Sequence, residues 1–199
     1  MDRIFGCASF VGYVSELLEH DLQAKSRLAS AITTNPGMEI AILGIIEPYM
    51  PGGAWPSEHV RRCSYVVAML MAMAPRACNN GNMGTHLGQL ANRNRSSQPT
   101  IERDLIAILD KGAMRLEDLC PRLASIVRRL EREDIPVNYI HLLEDLIDWR
   151  WSSPARSWGL SYYQARFRRM SSEEESEESE SEKPKQARVG GEENAQPQT

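Results

Sequence analysis

Apolar residues recur along this chain at intervals of three and four, and nowhere do they alternate convincingly at intervals of two. A helix returns side chains to one face at the first spacing and a strand at the second, so the pattern predicts helices throughout. Phe10, Val14, Leu17, Leu18, Leu22 and Leu28 predict one amphipathic helix over about 5–32, stopped by Asn35-Pro36-Gly37. A shorter helix near 38–47 leads into a Pro- and Gly-rich loop, 47–56. Ser57 is placed to cap a helix running to about Ala74. Its Val66–Ala74 section is apolar all round, which predicts the central buried helix.

Residues 78–98 are rich in Asn, Gly, Ser and Arg and read as a mobile connection around one short helix. Pro99 suits a first helical turn, and Ile101, Leu105, Ile108 and Leu109 then form a buried stripe. Leu119, Leu123, Ile126, Val127 and Leu130 form another. Asp134-Ile135-Pro136 opens a helix carrying Ile140, Leu143, Leu146, Ile147 and Trp149. Ser152-Ser153-Pro154 opens the last helix, expected to end near Met170. The fold class is therefore all-α, and 199 residues suffice for one or two compact lobes. Ser171–Glu182 contains only Ser and Glu, with nothing apolar to offset the entropy of ordering, so 171–199 is expected to be a disordered acidic tail.

The formal net charge of −4 conceals a division, because residues 1–170 carry +2 and residues 171–199 carry −6. Only Lys25 and Lys111 are lysines among the cations of the first 170 residues. Arginine presents a planar fork of donors that matches phosphate oxygens, although a GC-rich genome would raise its count too. The four cysteines are scattered without a close pair, which argues against structural zinc, and Cys63 and Cys120 fall in apolar helical patterns as buried thiols. Met1–Ala8 lacks the pattern of a signal peptide, and the longest apolar run, Tyr65–Pro75, is too short to span a bilayer. A cytoplasmic protein without membrane contact is expected.

Chemistry is sparse. No Walker loop, GxSxG elbow or HExxH helix occurs, and His20, His59, His86 and His141 lie far apart. The expectation is a protein without catalytic residues, metal, cofactor or small-molecule substrate. The arginines are more informative. Arg61 and Arg62 stand in the first turns of an apolar helix, where positive charge opposes the macrodipole by roughly 0.3–1 kcal/mol. Glu58 can pair with Arg62 four residues on, which leaves Arg61 unexplained by stability. Arg93 and Arg95 lie in a polar segment that could follow a phosphate backbone or serve as a linker. Arg103 is flanked by Glu102 and Asp104, which favours local pairing, and Arg128 and Arg129 alternate with acids as on a solvated face. Arg156 again sits where a helix begins, whereas Arg166, Arg168 and Arg169 suit a helix end. Trp149, Trp151, Trp158, Tyr162 and Tyr163 read as packing between the last two helices rather than as a base-stacking platform.

Pro121-Arg122-Leu123 through Val127, then Ile135-Pro136-Val137-Asn138-Tyr139, then Leu142-Leu143-Glu144-Asp145-Leu146 with Trp149 resemble the carboxy-terminal signature of the CasB small subunits of the type I-E CRISPR surveillance complex Cascade. Val60–Pro75, Met83-Gly84-Thr85-His86-Leu87 and Ile101-Glu102-Arg103-Asp104-Leu105 are similar to three further family blocks in the expected order. The helix ending near Ala31 and the Pro48-Tyr49-Met50-Pro51 loop fit as well, so the resemblance spans roughly 8–165. It implies a two-lobed helical bundle, divided here as 1–92 and 93–170. It also implies two copies within an RNA-guided ribonucleoprotein, alongside the other Cascade subunits, steadying guide RNA and target DNA in the R-loop. Arg61, Arg62 and Arg103 fall inside matching blocks, and Arg156 falls where the family commonly places basic residues. With Arg93 and Arg95 these make the candidate nucleic-acid-binding set. Asp104 departs from the family's second arginine, and the acidic tail is no part of its core. A purely structural spacer between protein subunits is the competing expectation.

Overall fold

The computed structural model describes residues 6–31, 40–52, 56–109, 116–149 and 154–181, with backbone alone for 40, 41, 117 and 169–181. Its α-helices are α1 (Cys7–His20), α2 (Leu22–Ala31), α3 (Ile40–Ile46), α4 (Glu58–Met73), α5 (Met83–Arg93), α6 (Gln98–Leu109), α7 (Leu116–Arg132), α8 (Tyr139–Asp148) and α9 (Pro154–Ser181). Short 3-10 turns cover Glu47–Tyr49 and Arg95–Ser97. The described residues contain no strand, only a parallel bridge between Ala77 and Val137. There Cys78 N–H donates to the Val137 carbonyl (3.1 Å) and Val137 N–H to that of Arg76 (3.0 Å), tying the α4–α5 link to the α7–α8 link. The all-α expectation stands.

One expected helix is two. Asp21 leaves helical geometry at φ −125° and ψ 93°, ending α1, and its Oδ1 accepts from the N–H groups of Gln23 (2.8 Å) and Ala24 (2.9 Å). A carboxylate that satisfies the orphan donors of a new helix starts that helix even where the apolar spacing runs on. Asp21→Ala is expected to lower stability by about 1 kcal/mol in urea denaturation, with Asp21→Asn close to wild type. Equal losses in both variants would show that the cap is not the cause.

The apolar all-round helix lies at the centre, as its sequence requires. Every residue of α4 from Cys63 to Ala72 is buried, and it packs against α1, α2, α7 and α8. Ser57 caps it, accepting from Val60 N–H at 3.3 Å. Around it one hydrophobic cluster runs from Phe10 through Tyr162. Cys63 and Cys120 are buried free thiols, and burial pushes Cys120 up to about 11, which leaves it unreactive. Tyr13 stacks on Tyr49 with ring centroids 3.4 Å apart, and its hydroxyl donates to the Ile45 carbonyl, fixing the end of α3 on α1.

The chain between α4 and α6 is helical in its middle. Asn82 caps α5 through its Oδ1, which accepts from Thr85 N–H (3.1 Å), and its Nδ2 reaches the Ser157 and Ser161 hydroxyls of α9 (3.0 and 3.1 Å). Asn92, near the other end of α5, donates to the Ala165 carbonyl (3.0 Å), so α5 and α9 run in parallel. Two glycines allow this approach. A Cβ on Gly84 would lie 2.7 Å from the Trp158 Cα, and one on Gly88 would lie 2.8 Å from the Tyr162 carbonyl oxygen. Trp158 and Tyr162 are consequently fully buried, and Trp149 meets Trp158 edge to face at 5.0 Å. The aromatic corner is packing, apart from Tyr163, which stays exposed; Trp151 lies outside the described residues. The last helix also continues past Met170 to Ser181. Extending a formed helix needs no new nucleus, and glutamate is a good helix former. The remainder of the expected tail, 182–199, lies outside the described residues.

Candidate nucleic-acid interface

Three helix ends bring arginines together. Arg93 closes α5, and its Nη1 donates to the carbonyl of Glu133, just past the end of α7. The chain then turns sharply, with Asn94 Oδ1 accepting from Ser97 N–H (3.1 Å), and exposes Arg95 before α6 begins. Beneath the turn lies a cavity of about 120 Å³ lined by Leu90, Asn94, Ser97, Ile101, Arg129, Arg132 and Glu133. Arg129 and Arg132 come from α7, three residues apart and so on neighbouring positions of one face. Arg132 is exposed, whereas Arg129 is half-buried and donates to Asp104 Oδ2 of α6 at 2.8 Å. That bond holds α7 to α6 and fixes one wall of the cavity.

The flanking acids of Arg103 are engaged elsewhere. Asp104 holds Arg129, and Glu102 accepts from the Tyr163 hydroxyl at 2.9 Å. Arg103 is exposed and reaches only the Thr100 hydroxyl, at 3.4 Å, so the local pairing that sequence favours does not form. Asp104, the departure from the family block, pairs across helices, and Arg103 stays exposed beside it. Arg129 was expected on a solvated face; the fold turns it inward, and only its neighbour Arg128 is exposed.

Arg61 and Arg62 stand apart from this cluster on α4. Glu58 does pair with Arg62 (3.0 Å), but Arg61 is not left over. Its Nη1 donates to Glu47 Oε1 at 2.9 Å and its Nε to the Pro56 carbonyl at 3.4 Å, with 30% of its side chain exposed. Glu47 Oε1 also accepts from the Tyr65 hydroxyl (2.9 Å), and burial together with that bond pushes the phenol well above its usual range. A cation in the first turn is thus explained by an acid delivered from the preceding loop. Arg156 is exposed in the first turn of α9, at the opposite end of α5 from Arg93. Of the six arginines singled out by sequence, then, the fold sets Arg93 and Arg95 at the α5–α6 turn, and Arg103 is exposed in the second turn of α6. The fold adds Arg132 and the half-buried Arg129, which the sequence had assigned to a solvated face. Among the described residues no group of His, Cys, Asp and Glu is arranged to hold a metal, and no helix is long and apolar enough to cross a membrane.

No curated protein matches the chain in sequence. Solved structures match its fold. A chain of a "CRISPR RNA-guided surveillance complex" superposes with a TM-score of 0.69 at 22% identity, covering 83% of this chain and 96% of that one. A Cse2-family CRISPR-associated protein from Thermus thermophilus gives 0.65 at 22% identity, covering 83% and 100%. CasB from M. ruber gives 0.63 at 24% identity, covering 80% and 95%. The model of the CRISPR-associated protein Cse2 matches residues 24–163, from within α2 to the exposed tyrosine of α9, and on that match the chain belongs to the Cse2 family of CRISPR-associated proteins.

Proposed function

We propose that the chain is the non-catalytic small subunit of an RNA-guided CRISPR complex, where it grips nucleic-acid backbone without reading bases and stabilises the guide RNA–target DNA R-loop. In such machines base pairing selects the sequence and protein holds the phosphates. The observation that supports the reading is the meeting of Arg93, Arg95 and Arg132 at the α5–α6 turn, with Arg129 buttressed beneath them and Arg103 exposed in the second turn of α6. Exposed guanidinium groups from three helices suit successive phosphates, and no base-shaped recognition is required of them. Arg61, Arg62 and Arg156 are carried as outlying phosphate contacts. On the same reading the subunit is cytoplasmic, with the other Cascade subunits and a second copy of itself as partners. It keeps two lobes, divided as 1–92 and 93–170.

The subunit should bind DNA and RNA weakly, with strong salt dependence and little sequence preference. Replacing Arg93, Arg103 and Arg132 together by alanine is expected to reduce the slope of log K against log salt by about 2–3, near 0.9 for each duplex phosphate that is no longer neutralised. The same replacement should shorten R-loop lifetime in the reconstituted complex. An unchanged slope and lifetime would remove this surface from the interface. One observation favours a spacer instead, since Arg61 and Arg62 are both engaged by the protein's own acids. On that reading the triple variant would behave as wild type, while apolar surface changes would stop assembly.

A further inference from the structure

The acid excess of this chain is local. Residues 171–181, the final three turns of α9, hold six glutamates, five serines and no cation. Residues 182–199 balance three cations against three acids, so the net charge of −4 arises in that one stretch of helix. Arg166, Arg168 and Arg169 precede the run, and three cations leave half of its charge unanswered. Helix packing then delivers the run to the arginine turn. α5 and α9 run in parallel, and Asn92 donates to the Ala165 carbonyl one residue before Arg93 closes α5. α6 returns in the opposite sense, because Glu102 meets Tyr163 while Leu109 lies against Gly159. The link that carries Arg93 and Arg95 therefore stands level with Ala165 and the residues after it, and Arg132 meets it from α7. From Ala165 the axis of α9 rises about 12 Å to Glu173 and about 24 Å to Ser181. The Debye length is ~30 Å at 0.01 M salt and ~8 Å at physiological strength. The whole run thus acts on the turn in dilute salt, and its nearer end still contributes at physiological strength.

We infer, on the reading that this turn holds phosphates, that the Glu-rich end of α9 is a built-in competitor of nucleic acid: an autoinhibitory polyanion beside the turn that lowers its affinity for phosphates. A row of carboxylates along one axis opposes a phosphate backbone with charge of the same sign. Being tethered, it keeps the same effective concentration at the turn however dilute the chain. Stray nucleic acid meets this opposition at every encounter and is turned away. A strand already held by base pairing and by neighbouring subunits arrives at an effective concentration that overcomes it. Occupancy of the turn is then decided by assembly, and the free chain is kept off nucleic acid that no guide has selected.

Fluorescence anisotropy of a short labelled DNA duplex with the full chain, from about 0.02 to about 0.3 M salt, tests this. Replacing Glu173, Glu174, Glu175, Glu177, Glu178 and Glu180 together by glutamine keeps both length and helix propensity. That variant should bind about tenfold more tightly at the lowest salt, with the gain shrinking below about twofold at the highest. In an Arg93→Ala, Arg132→Ala background most of the gain should vanish, because the run has lost what it masks. Equal affinity of the glutamine variant and the parent overturns the inference. So does a gain that persists undiminished without the two arginines, which would mark repulsion by net charge alone. Weaker binding in the arginine variant with no effect of the glutamines would keep the turn as a phosphate site and remove only its competitor. An arginine variant that binds as the parent does would remove both.

Discussion

Gly84→Ala is expected to cost the fold about 3 kcal/mol and to lower Tm by about 10 °C, although alanine is the better helix former. In an open helix the exchange gains about 1 kcal/mol from reduced backbone freedom. At Gly84 that gain is outweighed, because the new methyl would collide with backbone: the Trp158 Cα at 2.7 Å, with the carbonyl carbon and oxygen closer still. A flexible side chain could swing away, whereas the main chain of α9 cannot move without dragging Trp158, which is fully buried against α5 and holds Asp145 through its indole N–H (2.6 Å). Gly88, one turn further on, meets α9 in the same way, so α9 has no room to pivot about either point. Gly12→Ala in α1 is the matched control, since no atom lies within 4 Å of the Cβ it would add. That variant should melt at or above the wild-type temperature. If Gly84→Ala did the same, the close approach of α5 and α9 would be wrong.

That prediction shows what could and could not be read from the chain. The Met83-Gly84-Thr85-His86-Leu87 block stood out by resemblance, but nothing in its spacing says that a carbonyl of residue 158 needs the missing side chain. The central position of α4 was legible, because a stretch apolar on every side can only be buried. The end of α1 was not, because Asp21 sits in an apolar rhythm that continues through Leu22 and Leu28, and only its hydrogen bonds to Gln23 and Ala24 reveal the break. Helical periodicity records which face is apolar; it is silent on where a cap interrupts the axis.

The arginines divide along the same line. Position drew attention to Arg93, Arg95 and Arg156 because they lie at helix ends or in polar segments, whereas Arg103 entered through resemblance to a family block. Whether each is available depends on acids far away in sequence. Asp104 is adjacent to Arg103 yet bonds Arg129, and Glu47 crosses from the preceding loop to take Arg61. Local charge pairing is a fair guess where neighbours share a face, as Glu58 and Arg62 do. It fails where helix packing offers an acid a better-placed cation. Arg129 was assigned to a solvated face and Arg132 went unremarked for that reason, since their surroundings are set by α5 and α6 rather than by α7 itself.

Stability should fall by about 2–3 kcal/mol between pH 7 and pH 4, and His86→Gln should remove most of that loss. His86 is 2% exposed, and its Nε2 accepts the backbone N–H of Asn138 at 3.2 Å, joining α5 to the residue that caps α8. The acceptor must be unprotonated. Burial lowers the imidazole from 6.5 to about 4, with Gln89 opposing the shift and the charge of His141 adding to it. In the unfolded chain the ring takes its proton near 6.5, so between those values unfolding takes up a proton and acid favours the unfolded state. The stabilisation is complete above 6.5 and is lost as pH falls towards 4. Asp145 works against this trend, because burial raises its carboxyl and the folded state then binds its proton more readily. The net acid loss is for this reason somewhat smaller than His86 alone would cause. Glutamine offers an uncharged acceptor to Asn138 at every pH, so the variant should start slightly less stable at pH 7 and then decline little. Urea denaturation of both proteins at matched ionic strength, from pH 7 down to pH 4.5, measures the difference directly. Parallel decline of the two curves would place the acid sensitivity elsewhere and leave His86 as packing alone.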